Sequence, residues 1–283
     1  MTIEITLLGT GSPLPDPERA GPSTLVRAGG HTFLFDAGRG VGLRLAAAAA
    51  PAGALSAVLL THLHSDHITD LNDLVTGRWI TGFPVARALP VIGPVGTRGV
   101  VDAILAMLAP DISYRLAHHD DLTAGPEVEV SEVEASEAAG GVVWEDEVAD
   151  VRILAEPTDH RPVEPTLGYR IEHGGRAVVI GGDGVPCDGL DRLCAGADAY
   201  VQTVLRDDLV SAVPLQRFLD TIDYHSTVRQ AGETAARAGV GTLVLTHQVP
   251  APAPGTEDEW IALAAEAFDG TIVCGRDLVV VEV

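Results

Sequence analysis

The chain has 283 residues, with 18 arginines, no lysine and 40 acidic side chains, for a formal net charge of −22. This length supports a large buried core in one domain spanning residues 1–283, while the negative excess opposes sequence-independent attraction to a polyanion. Three scattered cysteines, Cys187, Cys194 and Cys274, exclude a disulfide framework.

Met1 to Leu8 alternates as a strand and lacks the basic region, apolar stretch and cleavage site of a signal peptide. Strands are expected next at Ser23 to Arg27 and Thr32 to Asp36, then a helix from about Gly40 to Ala49 and an apolar strand from Ala57 to Leu60. The apolar run Leu45 to Ala50 sits between Arg44 and Pro51, far short of a membrane span, so a soluble, cytoplasmic protein is expected. A helical segment around Ile68 to Thr76, a strand at Leu89 to Ile92 and a helix after Gly96-Thr97-Arg98-Gly99, ending near Pro110, follow. Val128 to Val133 and Val151 to Ala155 alternate as strands, and the acidic, Ala/Gly-rich connection between them reads as a surface hairpin or loop. Gly168 to Glu172 and Arg176 to Ile180 form a hairpin through His173-Gly174-Gly175 that runs on into Asp183. A helix at Asp188 to Ala195, a strand at Ala199 to Thr203, a helix at Val228 to Ala238 and a strand at Thr242 to Thr246 come next. The closing run Asp277 to Val283 is β-rich and suited to a sheet edge.

Thr61-His62-Leu63-His64-Ser65-Asp66-His67 directly follows the apolar strand. In extended backbone residues two apart point the same way, so His62 and His64 address one ion, and the turn that follows swings Asp66 and His67 toward a second. Imidazoles combined with carboxylate suit zinc best, with manganese or iron as alternatives. Other polar features are weaker. His118-His119 beside Asp120-Asp121 reads as a solvated loop, His173 sits in a hairpin turn, His31 precedes a strand, and Gly9-Thr10-Gly11 does not open a helix as a phosphate cradle would. Cys187 stands four residues after Asp183, but nothing in the spacing makes it a ligand.

His-x-His-x-Asp-His after a strand resembles the signature of the metallo-β-lactamase superfamily. Later motifs match in order: His160 in Thr158-Asp159-His160, Asp183 in Gly181-Gly182-Asp183-Gly184, and His247 in Leu245-Thr246-His247. More narrowly, the chain resembles the ribonuclease Z-like branch through Leu8-Gly9-Thr10-Gly11-Ser12-Pro13, Phe35-Asp36-Ala37-Gly38, Gly168-Tyr169-Arg170 and Tyr224-His225-Ser226-Thr227. The resemblance implies an α/β fold, a four-layered αββα sandwich with a pseudo-duplicated core. It also implies a dinuclear zinc-dependent hydrolase, a phosphodiesterase using a metal-bridging hydroxide as nucleophile. One ion would be held by His62, His64 and His160 and the other by Asp66, His67 and His247, with Asp183 bridging. As catalytic residues, His225 is implied as proton donor to the leaving alkoxide, and Asp66 could accept a proton from the nucleophile as well as bind metal. Asp36 would orient a ligand histidine through its other ring nitrogen.

Three departures separate the chain from the pre-tRNA-processing pattern of that branch. The protruding arm expected between the Gly-Tyr-Arg strand and the bridging aspartate has only Ile171 to Gly182 in which to fit. The His-Glu-Ala-Thr element falls at Gln202-Thr203-Val204-Leu205, so the carboxylate that would support His225 is missing, and Asp183-Gly184 replaces Asp-Thr. Arg161, Arg170 and Arg206 are far apart in sequence and could form a basic patch only through the fold. A phosphodiester is therefore the expected substrate, with a small or cyclic one as plausible as RNA. An arylsulfatase-like or lactonase-like hydrolase would use the same ligands. A metal-stabilised binding protein is the non-enzymatic alternative, disfavoured because a structural zinc is closed by about four protein ligands. Apolar residues on the helix from Ala103 to Leu108 could support a homodimer.

Overall fold

The computed structural model of the chain describes residues 1–82, 86–134 and 140–283. The first sheet is built from β1 (Glu4–Gly9), β2 (Ser23–Ala28), β3 (His31–Phe35), β4 (Ala57–Leu59), β5 (Leu89–Pro94) and β6 (Val128–Val133), in that spatial order. The second is built from β7 (Gly141–Asp146), β8 (Val151–Pro157), β9 (Leu167–His173), β10 (Arg176–Ile180), β11 (Ala199–Leu205), β12 (Thr242–Val249) and β13 (Thr271–Cys274), also in order. The closing strand, β14 (Val280–Glu282), returns to pair antiparallel with β1, the edge role expected of the C-terminal run. The helices are α1 (Val41–Ala47), α2 (Ser65–Ile68), α3 (Leu71–Thr81), α4 (Thr97–His118), α5 (Asp188–Cys194), α6 (Asp207–Ser211), α7 (Gln216–Leu219), α8 (Val228–Ala238) and α9 (Glu257–Ala265).

Burial sorts these elements into the expected αββα sandwich. Ile5, Leu7, Phe33 and Phe35 of the first sheet face Ile153, Tyr169, Val178 and Val201 of the second. On the outer face of the first sheet, Leu34 and Val58 meet Leu45, Leu74 and Val101 of α1, α3 and α4. On the outer face of the second, Tyr200 and Leu243 meet Leu190, Ala231 and Trp260 of α5, α8 and α9. Strands covered on both faces lose the polar alternation of a half-exposed strand, which is why β4 and β11 are apolar or buried throughout. Both sheets pass from antiparallel neighbours (β1-β2-β3 and β8-β9-β10) into parallel ones (β4-β5-β6 and β11-β12-β13), the pseudo-duplication the resemblance implied. Crevices beyond the carboxyl ends of such strands are where ligands bind.

Several elements differ from expectation. α4 continues through Pro110 to His118. Ala106, whose carbonyl loses its helical partner to the proline, and Pro110 itself are both exposed, so water can satisfy that carbonyl. The helical stretch around Ile68 is two helices broken at Asp70. The connection after Val133, expected as a hairpin or loop, contains β7, an edge strand carrying Val142, Val143 and Trp144 that pairs antiparallel with β8; residues 135–139 of it lie outside the described residues. His31 bonds Ser56 Oγ at 3.1 Å and Asp146 at 3.0 Å, with Trp144 edge-on against its ring, so it clasps β7 to the first sheet. α6, α7, α9 and β13 have no counterpart in the sequence reading. Within Ala103 to Leu108, Ile104, Leu105 and Leu108 pack on the first sheet, while Met107 faces solvent. Among the described residues no helix is long and apolar enough to cross a membrane.

Candidate metal centre

The loop after β4 is held at its root by both sheets. The Leu60 carbonyl accepts the buried Tyr169 hydroxyl at 2.7 Å, and the Thr61 carbonyl accepts the Leu167 N–H at 2.8 Å. Asp36, at the end of β3, accepts the Thr61 N–H at 2.8 Å and its hydroxyl at 2.9 Å. His64 stands on extended backbone and leads at once into α2, which carries Asp66 and His67 and brings the His67 ring to 4.1 Å from that of His62. Asp36 Oδ2, which also takes the Thr61 hydroxyl, accepts His67 Nδ1–H at 2.8 Å, the orienting role expected of this carboxylate, and leaves His67 Nε2 facing the centre. Asp36 has a φ of 60°, a left-handed backbone that its buried bonds must offset.

The remaining side chains arrive from the second sheet. His160 follows β8, and its Nδ1–H donates to the Tyr224 carbonyl at 2.8 Å. Asp183 follows β10, and His247 lies within β12. His62 Nε2 is 3.0 Å from His64 Nδ1, which is 3.4 Å from His160 Nε2. His247 Nε2 is 3.2 Å from Asp66 Oδ2, and His67 Nε2 is 3.7 Å from the same oxygen. Asp183 Oδ2 lies between these groups, 3.8 Å from His62, 3.4 Å from His67 and 3.5 Å from His247. Two donor sets result: His62, His64, His160 and Asp183, and Asp66, His67 and His247, with the ligand atoms of each within 4.8 Å of one another. His67 Nε2 and Asp183 Oδ1 are buried without a hydrogen-bond partner, a costly arrangement that a cation among these atoms would relieve. Nitrogen and oxygen donors in this arrangement fit zinc. All seven residues of the expected metal set thus converge; Cys187, the residue before α5, belongs to neither group.

Protonation follows burial and charge. Burial lowers His62, His64 and His160, the last to about 4, which keeps their lone pairs free for a cation. Burial alone would lower His67, but the Asp183 and Asp36 carboxylates outweigh it and hold it well above the ordinary value. His247 is raised in the same way by Asp183 and Asp66. Burial opposes ionisation of both carboxyls, yet His247 and His67 keep Asp183 well below the ordinary range, and the bond from His247 lowers Asp66.

His225 borders the same centre, its Nε2 3.4 Å from Asp183 Oδ2. Its other ring nitrogen is held by a backbone carbonyl: Nδ1–H donates to Thr221 at 2.9 Å, which orients the ring. Thr227 caps α8 in a reciprocal box with Gln230, fixing the backbone just beyond His225. Gly184 has a steric reason: its φ is +150°, and a Cβ there would meet the Asp159 carbonyl oxygen at 2.7 Å. Its own carbonyl accepts the Ser226 N–H at 2.7 Å and hydroxyl at 2.8 Å, so Asp183-Gly184 and His225-Ser226 are joined directly. No arm separates β9 from β10; Gly174-Gly175, both at positive φ, turn the hairpin. The separated arginines do not supply free charge, since Arg161 pairs with Asp159, Arg170 with Glu172, and Arg206 with Asp208 and Glu259.

Thr61, Gln202 and Gln248 support the site through bonds that the sequence did not assign to them. Gln202, where the family pattern has histidine, donates its amide to the Gly182 carbonyl at 3.0 Å and accepts the Tyr200 hydroxyl at 2.6 Å. Their roles exist only once distant strands are paired.

A beta-lactamase superfamily domain model matches residues 31–248. Ribonuclease Z of Mycolicibacterium gilvum (strain PYR-GCK) is 59% identical over 277 residues, covering 98% of this chain and 94% of that protein. Ribonuclease Z of Mycobacterium bovis (strain BCG / Pasteur 1173P2) is 58% identical over 282 residues, covering 99% and 98%. Among solved structures, human tRNase Z, short form, superposes with a TM-score of 0.72 at 25% identity, covering 98% of each chain. The metallo-beta-lactamase fold protein YhfI from Bacillus subtilis superposes with a TM-score of 0.73 at 23% identity, covering 99% of each.

Proposed function

We propose, from the premise that this chain belongs to the metallo-β-lactamase superfamily and to its ribonuclease Z branch, that it is a two-zinc phosphodiesterase that hydrolyses RNA. That it is a metal-dependent hydrolase follows from its relatives. The observation that carries the finer reading is the pair of donor sets meeting at Asp183 Oδ2, with His225 beside them. In this reading His62, His64 and His160 would hold one ion and Asp66, His67 and His247 the other, with Asp183 a ligand available to both. Such an ion pair, when bound, supplies Lewis acidity for the phosphoryl oxygens and activates water near neutral pH. Asp36 and the Tyr224 carbonyl fix the ring orientations of His67 and His160, so both present Nε2 inward. His225 has Nδ1 committed to Thr221, which leaves Nε2 as the atom able to deliver a proton to the leaving alkoxide. Asp66 is the candidate to take a proton from the nucleophile.

RNA as substrate class is drawn from the relatives' name and their near-complete overlap with this chain. Because the named relatives are almost co-extensive with it, the short β9–β10 hairpin does not set it apart from them. A second reading, a small or cyclic phosphodiester, is favoured by the net charge of −22 and by the carboxylate partners of Arg161 and Arg206. The test is turnover of the zinc- or manganese-loaded protein on a 3′-extended pre-tRNA and on bis(p-nitrophenyl) phosphate, with Asp66→Ala as blank. Endonucleolytic cleavage of the pre-tRNA supports the first reading, cleavage of the diester alone supports the second, and inactivity on both refutes phosphodiester hydrolysis.

A further inference from the structure

We infer that Gln248, with Arg19, Thr10 and Asp277 stacked behind it, is a positioning residue that aims His247 at the Asp66/His67 side of the centre. The inference rests on the reading of His247 as a ligand.

β12 is irregular where it matters. Thr246 pairs with Thr203 and Val249 with Leu205, so two residues of β12, His247 and Gln248, oppose the single residue Val204 of β11. This is a bulge, a device that redirects one side chain at the end of a strand. Its first residue is His247, at a φ of +45°, a left-handed backbone that a non-glycine residue keeps only when its surroundings enforce it.

The enforcement comes from Gln248, which is fully buried. Its amide donates to the Leu245 carbonyl at 3.1 Å and the Gly275 carbonyl at 2.8 Å, bridging the strand before the bulge to the chain after β13. Its N–H donates to the Thr10 carbonyl at 3.2 Å, and its Oε1 accepts Arg19 Nη1 at 2.7 Å. The same Arg19 nitrogen donates to Thr10 Oγ at 2.8 Å, and that hydroxyl donates onward to Asp277 Oδ1, also at 2.8 Å. Asp277, almost wholly buried, further accepts the Thr10 and Ala20 N–H groups at 2.9 and 2.7 Å and faces Arg44 Nε at 2.9 Å. A carboxylate so saturated is a rigid anchor. Gly9 and Gly11 make the approach possible, because a Cβ at either would strike the backbone oxygens of Gly21 or Ala20. The Leu8-Gly9-Thr10-Gly11-Ser12-Pro13 motif thereby gains a physical role: it supplies the wall against which the His247 bulge is braced.

The test is zinc titration of the metal-free full chain against a competing chelator, comparing wild type with Gln248→Leu, Arg19→Met, Arg19→Lys and His247→Ala. Gln248→Leu is expected to weaken one of two zinc equivalents by roughly 10- to 100-fold and Arg19→Met by about 10-fold, the range for residues that orient a ligand. The other equivalent and the affinity of Arg19→Lys should stay at wild-type values, which a merely structural role would not give. If Gln248→Leu fails to fold, Arg19→Met decides. Wild-type affinity in Arg19→Met and in any folded Gln248→Leu, while His247→Ala loses an equivalent, overturns the brace and leaves the ligand reading standing. An unaltered His247→Ala overturns both.

Discussion

Asp36→Asn separates orientation of a ligand from mere occupancy of space. The wild-type carboxylate accepts three donors, the Thr61 N–H, the Thr61 hydroxyl and His67 Nδ1–H. Asparagine keeps an acceptor for Thr61 but turns an NH2 toward His67 Nδ1. The ring must then offer a lone pair there and carry its proton on Nε2, the atom that faces Asp66 and Asp183. Loss of such an orienting partner weakens metal binding by roughly 10- to 100-fold, or about 1.4–2.7 kcal/mol. Asp36→Ala goes further and leaves buried donors without an acceptor, for which about 3–5 kcal/mol of stability should be lost. For a chain of this size that lowers the melting temperature by roughly 5–8 °C. Zinc titration of the metal-free protein against a competing chelator, paired with calorimetry, reads both effects. An Asn variant that binds two equivalents with wild-type affinity would refute the tautomer argument, and an Ala variant with an unshifted melting temperature would refute the burial argument.

Asp183→Ala removes the oxygen between the two donor sets, so turnover on bis(p-nitrophenyl) phosphate should fall by about two to three orders of magnitude; full activity would sink the two-ion assignment. His225→Ala should lower turnover by roughly 10²- to 10⁴-fold with metal content unchanged, and loss of metal instead would mean that His225 is a ligand rather than a proton donor. Burial holds His160 to about 4 against an ordinary value of 6.5, so the unfolded chain takes up a proton that the folded metal-free chain refuses. That contribution is complete above pH 6.5 and is lost as pH falls toward 4. His160→Gln should therefore flatten the decline in melting temperature of the metal-free protein across this window, and an unchanged slope in a pH series of scans would contradict it.

Much of the site was legible because its chemistry is local in sequence. His62, His64, Asp66 and His67 lie within one turn and one short helix, so strand and helix periodicity alone decide which of them share a direction. Strands β8, β10 and β12 could be read from their alternation or apolarity, with His160 and Asp183 just beyond the ends of the first two and His247 near the end of the third. The less legible elements were those whose stability comes from elsewhere. α4 passes Pro110 because that turn is solvated, and β7 forms because Trp144 finds Phe33 and His31 on the other sheet.

The sequence by itself determined the donor types, their order and the two periodicities that deliver the first four of them. Only the tertiary structure decided where the two donor sets meet, since Asp183 reaches His62, His67 and His247 only after the sheets have packed face to face. It also decided the aim of His247, which depends on a bulge set by pairing with β11 and braced from the far end of the chain by Thr10 and Asp277. The physical reason is common to both. Spacing along the chain fixes directions within an element, whereas hydrogen bonds between strands distant in sequence fix the distances on which a metal site depends.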